Sequence, residues 1–205
     1  MSAILPAARP RLSSTILKKK IADKGYNITN LPIIIIGIRG YYLQSMGNAT
    51  KNDRGIYDDA IYVLTQNASS SFNANTDPSG YRKGYGKADA TKGMATLKPG
   101  LWLAHRFGKH NASKPSGHDA LIQTGGSVTV VRDGNPDYED SGYFGINIHK
   151  GGRTNTSSEG CQTIHPDQWD GFYNLVLSEA KRIYGSKYKS KTIPYLLINN
   201  LGDIV

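Results

Sequence analysis

The chain has 205 residues, enough for one domain with a substantial core, and its 38% apolar content and mean hydropathy of −0.45 are those of an ordinary globular protein. A net charge of +9 and a pI near 9.5 favour an anionic partner. No basic helix with interleaved aromatics and no zinc-knuckle spacing is present, which argues against nucleic acid.

Leu12 to Lys24 reads as a short basic helix, capped by Ser13-Ser14-Thr15 and stopped at Gly25, so residues 1–30 are expected to form a basic helical extension to a single domain over 31–205. The N-terminal residues lack the apolar core of a signal peptide, and Pro32 to Ile38 is too short to span a bilayer. These features predict no stable membrane insertion and synthesis in the cytoplasm. The apolar run at Pro32 to Ile38 predicts a central strand buried on both faces, and Ile56 to Thr65 predicts a second strand. Gln66 to Ala95 reads as a long polar loop, a candidate flap over a cleft. Thr96 to Phe107 reads as a hairpin turning at Lys98-Pro99-Gly100. Further strands are expected at Ala120 to Gln123, Ser127 to Arg132, Tyr143 to His149 and Ile193 to Asn199. Trp169, Phe172, Tyr173, Val176, Ala180 and Ile183 recur at helical spacing after His165-Pro166, predicting an amphipathic helix that ends at Gly185. The fold class is therefore mainly β (α+β), with a short N-terminal helix and an amphipathic helix in the C-terminal half.

The chemistry centres on Cys161, the only cysteine, twelve positions after His149. One cysteine excludes an internal disulfide. Its neighbours Ser157-Ser158-Glu159-Gly160 and Gln162-Thr163 have the composition of a turn, whereas inert cysteines are usually buried in cores. A thiol needs a nearby base to become a good nucleophile, and His149 fills that role if loop Lys150 to Ser157 folds back. Gly160 permits a tight turn whose backbone N–H groups, with that of Cys161, would face an oxyanion, and Ser158 would orient the loop. Lys150, Gly152 and Arg153 in the loop, together with His118, are candidate substrate-binding residues, the cations being suited to carboxylates.

His149, a glycine-containing loop and then Ser158-Glu159-Gly160-Cys161 resemble the signature of the L,D-transpeptidase catalytic domain, with Glu159 where that family usually has histidine. The resemblance implies a β-sandwich-like fold with a helix packed at one end. It also implies a cysteine acyl-enzyme acting on the stem peptides of bacterial peptidoglycan, with no cofactor and no metal. Combined with charge, size and the leaderless start, it favours a monomeric, phage endolysin-like lytic peptidase, released by a holin or carried in a virion. The alternatives are a cross-linking L,D-transpeptidase, a non-catalytic envelope-binding or virion protein, and a zinc peptidase. The last would assemble a site from distant residues, for example His118-Asp119 with His149, since no His-Glu-x-x-His helix exists.

Overall fold

A computed structural model describes residues 4–48, 50, 53–84 and 92–199. Eleven strands, two α-helices and one short 3-10 segment make up the described chain, so it is mainly β, as its composition predicts. The strands are β1 Ile33–Arg39, β2 Asp59–Thr65, β3 Ser69–Asn75, β4 Ala95–Leu97, β5 Gly100–His110, β6 His118–Gln123, β7 Val128–Arg132, β8 Tyr138–Gly142, β9 Ile148–Lys150, β10 Gln162–Ile164 and β11 Ile193–Asn199. The helices are α1 Ser14–Asp23 and α2 Pro166–Tyr184. Where a sandwich is expected, eight strands close into a barrel in the order β1-β11-β5-β6-β9-β10-β3-β2, and β4-β7-β8 form a separate small sheet.

β1 is buried along its whole length because it has a core on each side. Ile33 and Ile35 point into the main core with Ile61, Val63, Tyr195 and Leu197. Ile34, Ile36 and Ile38 point outward, under Leu17 and Ile21 of α1. The alternation of a strand's side chains thus explains why the run carries isoleucine at successive positions. α1 is capped by the Ser13 hydroxyl, as expected, but it is no loose extension. Leu17 and Ile21 are fully buried, and the preceding segment is held by Tyr42 Oη donating to the Ala8 carbonyl and Ser71 Oγ to that of Pro10.

α2 follows its sequence signals closely: His165 caps it, Pro166 opens it and Gly185 ends it. Its buried stripe of Trp169, Phe172, Val176 and Ala180 joins the core that also contains Phe72 and Ile164.

Several expectations are corrected. The segment Gln66 to Ala95 contains β3, which pairs antiparallel with both β2 and β10; its residues 85–91 lie outside the described part. The turn at Lys98-Pro99-Gly100 joins β4 to β5, but the two arms belong to different sheets and form no hairpin. Of Tyr143 to His149, only Ile148 and His149 are strand. Phe144 and Ile146 instead donate their backbone N–H groups to the Gln123 side chain, both at 3.0 Å. A side chain therefore satisfies the backbone that a neighbouring strand would otherwise pair.

Beneath the loop that follows β3 lies a buried ionic cluster. Arg39 pairs with Asp77 at 3.0 Å and donates to the backbone carbonyls of Thr76 and Leu97. Asp59 accepts from Gly40 N, Thr76 N and Thr76 Oγ1. Burial first, and Asp59's charge second, push the neighbouring Asp58 carboxyl up to about 9, and its Oδ1 has no protein partner among the described residues. This cluster anchors residues 76–79, and Ser79 in turn grips the cysteine turn.

Candidate active site

His149 sits on β9 and Cys161 immediately before β10, and the two strands pair in parallel, Gln162 opposite Ile148 and Thr163 opposite His149. This pairing folds loop 151–160 back and brings the two side chains together. A ring nitrogen of His149, a ring nitrogen of His110 and Cys161 Sγ all lie within 4.8 Å of one another. The rings of His110 and His149 stack with centroids 3.8 Å apart and an interplanar angle of 9°.

The turn around the cysteine is tightly specified. Ser158 Oγ accepts from Gly160 N at 3.0 Å and donates to the Cys161 carbonyl at 2.7 Å. Ser79 holds Ser158 from the other side, its Oγ accepting from Ser158 N and its N–H donating to Ser158 O. Gly160 has φ +149, and a Cβ on it would lie 2.4 Å from the Ala95 carbonyl oxygen, so only glycine fits against β4. Ser158 thus orients the loop as expected, but Gly160 is corrected. Its N–H is committed to Ser158 and does not face an oxyanion. Cys161 N–H, by contrast, has no protein acceptor among the described residues.

The Cys161 thiol is half-buried at the cavity wall. Burial, and to a lesser degree the Glu159 carboxylate, push it up to about 11, against the opposing Asn147 N–H, which donates to Sγ at 3.4 Å. The thiol's own hydrogen is directed to the Gly145 carbonyl, 3.2 Å away. His149 is neutral. Burial, then repulsion from His110, lower it to about 3, while the Lys150 carbonyl accepts from its Nδ1 at 2.8 Å. That bond fixes the hydrogen on Nδ1 and leaves the Nε2 lone pair available as a base. Both shifts favour the uncharged pair, thiol plus imidazole, so a thiolate at Cys161 would have to be generated by proton transfer to His149, the role expected of that histidine.

These residues line a cavity of about 740 Å³ together with Arg82, Lys92, Lys114 and Arg132. Arg82 pairs with Glu159 at 2.8 Å, and Lys92 and Arg132 both reach Asp140. The Lys114 ammonium has no carboxylate partner among the described residues.

The expected substrate-binding residues lie off the cavity lining, although His118 stands beside its histidines, with its ring centroid 5.5 Å from that of His110 and 5.8 Å from that of His149. Lys150, Gly152, Arg153 and His118 are not among the residues lining the cavity. Arg153 forms an exposed ion pair with Asp167 at 2.5 Å, and Tyr57 Oη donates to the Gly152 carbonyl at 2.7 Å. His118 turns its Nδ1 to the Ser116 carbonyl and its ring edge to Trp169. The residues at this site that sequence reasoning missed are His110, Asn147 and the cavity cations Arg82, Lys92 and Lys114. The β5–β6 hairpin, which places His110 opposite His118 across the turn 111–117, was the signal that could have shown His110 near the site.

Two imidazoles and a thiol are a plausible zinc donor set by type, and among the described residues this is the one such group. The zinc site expected through His118-Asp119 does not form from those residues. The hydrogen-bond network also works against the observed trio. Asn147 Oδ1 accepts from the Gln123 N–H at 2.8 Å, so its amide nitrogen is the atom facing His110 Nδ1, 3.0 Å away. His110 must then carry its hydrogen on Nε2. Two lone pairs, His149 Nε2 and Cys161 Sγ, are left where a catalytic zinc takes three protein ligands.

Among the described residues no helix is long and apolar enough to cross a membrane. Comparison with family models, with curated proteins and with solved structures finds no match for this chain.

Proposed function

We propose that this chain is a cysteine acyl-transfer enzyme that cleaves the stem peptide of bacterial peptidoglycan, on an L,D-transpeptidase-like scaffold. The observation that carries the reading is the neutral His149, oriented through Nδ1 by the Lys150 carbonyl, with its ring within 4.8 Å of Cys161 Sγ in an open cavity. A base oriented by a third group beside a nucleophile is the arrangement that nucleophilic catalysis needs. In the reaction, His149 Nε2 takes the thiol proton as Sγ attacks the amide carbonyl, then delivers it to the leaving amine. The resemblance of His149 and Ser158-Glu159-Gly160-Cys161 to the L,D-transpeptidase signature supports peptidoglycan as the substrate. The cation-rich walls of the cavity suit the carboxylates of stem peptides.

The test is mass analysis of purified muropeptides after incubation with the protein and with Cys161→Ala. Cleaved stem peptides with the native protein, an acid-trapped thioester on Cys161 and no products from the variant are expected. Equal cleavage by Cys161→Ala would overturn the mechanism. New cross-linked species in place of shortened ones would assign transpeptidation instead of hydrolysis.

A further inference from the structure

The loss of Gly160 N–H to Ser158 leaves the reaction short of a donor. An oxyanion formed beside Cys161 would find the Cys161 N–H, but a tetrahedral intermediate is usually held by two donors. His110 stands at the end of β5, lines the same cavity and stacks on the base. The Asn147 amide fixes its tautomer, because Asn147 Oδ1 is occupied by the donor-only Gln123 N–H and its nitrogen therefore faces His110 Nδ1. Nε2 carries the hydrogen and has no protein partner among the described residues. The ring stays uncharged at neutral pH, since burial, then the nearby His118 and Lys114, lower its pKa.

We propose that His110 is a catalytic residue, its Nε2–H donating to the carbonyl oxygen of the bond that Cys161 attacks. The assignment rests on the acyl-transfer reading. As Sγ bonds to the carbonyl carbon, the thiol proton moves to His149 Nε2 and the carbonyl π pair moves onto oxygen. That oxygen accepts from His110 Nε2–H and Cys161 N–H. Collapse restores the C=O bond and breaks the bond to the leaving group, which takes the proton from His149. His110 keeps its proton throughout, acting as a neutral electrophile, a role imidazole fills elsewhere when its pKa is held low. Asn147 is the positioning residue: it selects which nitrogen of His110 carries the hydrogen.

Two reagents separate this role from a structural one. p-Nitrophenyl acetate acylates a thiol through a tetrahedral oxyanion, whereas iodoacetamide alkylates it by direct displacement with no oxyanion. Replacing His110 with Ala is expected to slow acylation of Cys161 by the ester more than ~10-fold, a conservative figure for loss of one oxyanion donor, with alkylation changed less than ~3-fold. His110→Gln, which keeps an N–H donor, should recover part of the acylation rate. Nitrogen-detected NMR of the native protein should show His110 as the Nε2–H tautomer with no substrate present. A native protein that the ester does not acylate, a His110→Ala variant slowed equally or not at all in both reactions, or an Nδ1–H tautomer each overturns the proposal. If the ester and NMR results hold while muropeptides go uncleaved, the donor stands and only the peptidoglycan substrate falls.

Discussion

Gly37 and Tyr195 meet across the parallel β1–β11 pair, where a Cβ on Gly37 would lie 2.1 Å from the Tyr195 hydroxyl. The glycine that interrupts the isoleucine run makes room for this fully buried ring. Tyr195 Oη then donates to Gln162 Oε1 at 2.8 Å, next to Cys161. Gly37→Ala is expected to destabilise the fold by about 1–3 kcal/mol through overpacking, read as a lower denaturant midpoint at unchanged slope. An unchanged midpoint would show that Tyr195 moves aside without cost.

The resting thiol has a distinct pH signature. With Cys161 pushed up to about 11, its alkylation by iodoacetamide should rise about tenfold per pH unit from 7 to 10, without a plateau near neutrality. Glu159→Gln, by removing the nearby negative charge, should shift that curve to lower pH. A plateau below pH 8 would mean that His149 holds a thiolate in the free protein.

Asp58 sets an alkaline limit on stability. Its folded-state pKa, about 9, lies above the ordinary carboxylate range, so between those values the folded state binds a proton that the unfolded state does not. Its contribution therefore favours the fold at low pH and is lost progressively as pH rises towards 9. Asp58→Asn should flatten the fall in unfolding free energy between pH 7 and 9, on the order of 1 kcal/mol per pH unit. Parallel curves for the native protein and the variant would refute the shift.

Asn147→Asp should convert the site into a metal site. A carboxylate accepts from both Gln123 N–H and His110, moving the His110 hydrogen to Nδ1 and freeing the Nε2 lone pair to join His149 and Cys161. Zinc affinity, measured by competition with a chromophoric chelator, should increase at least about tenfold over the native protein. Equal affinities would mean that Asn147 does not control the tautomer.

Charge in the cavity and charge on the loop should separate. Arg153→Glu breaks an exposed pair with Asp167 outside the cavity, so neither stability nor KM for a muropeptide should change appreciably. Lys114→Glu places a negative charge in the cavity and should raise KM several-fold. A KM effect confined to Arg153 would move the recognition surface to loop 151–157.

Local signals made part of this structure legible from sequence alone. The isoleucine run of β1, the cap, proline and apolar stripe of α2, and the His149–Cys161 pairing with its Ser158 clamp are encoded by residues close together in the chain. β3 was illegible because its Ser-Ser-Ser-Phe-Asn-Ala-Asn composition is polar, and its buried Asn73 finds its partners in distant elements, the Gln168 amide, the Ala8 carbonyl and the Tyr42 hydroxyl. The Tyr143–Asn147 segment looked like strand because periodicity reports burial, not the hydrogen-bond partner, and that partner is the Gln123 side chain. The barrel order β5-β6-β9-β10 alone decided that His110 would stack on His149 and that Asn147 would fix its tautomer. Lys150, Gly152 and Arg153 fall outside the cavity, while Arg132 reaches it from β7 of the small sheet and Arg82 from the segment between β3 and β4. The sequence pairs His149 with Cys161 locally; their protonation states and the stacked His110 beside them follow from burial and strand order, which exist only once the chain has closed.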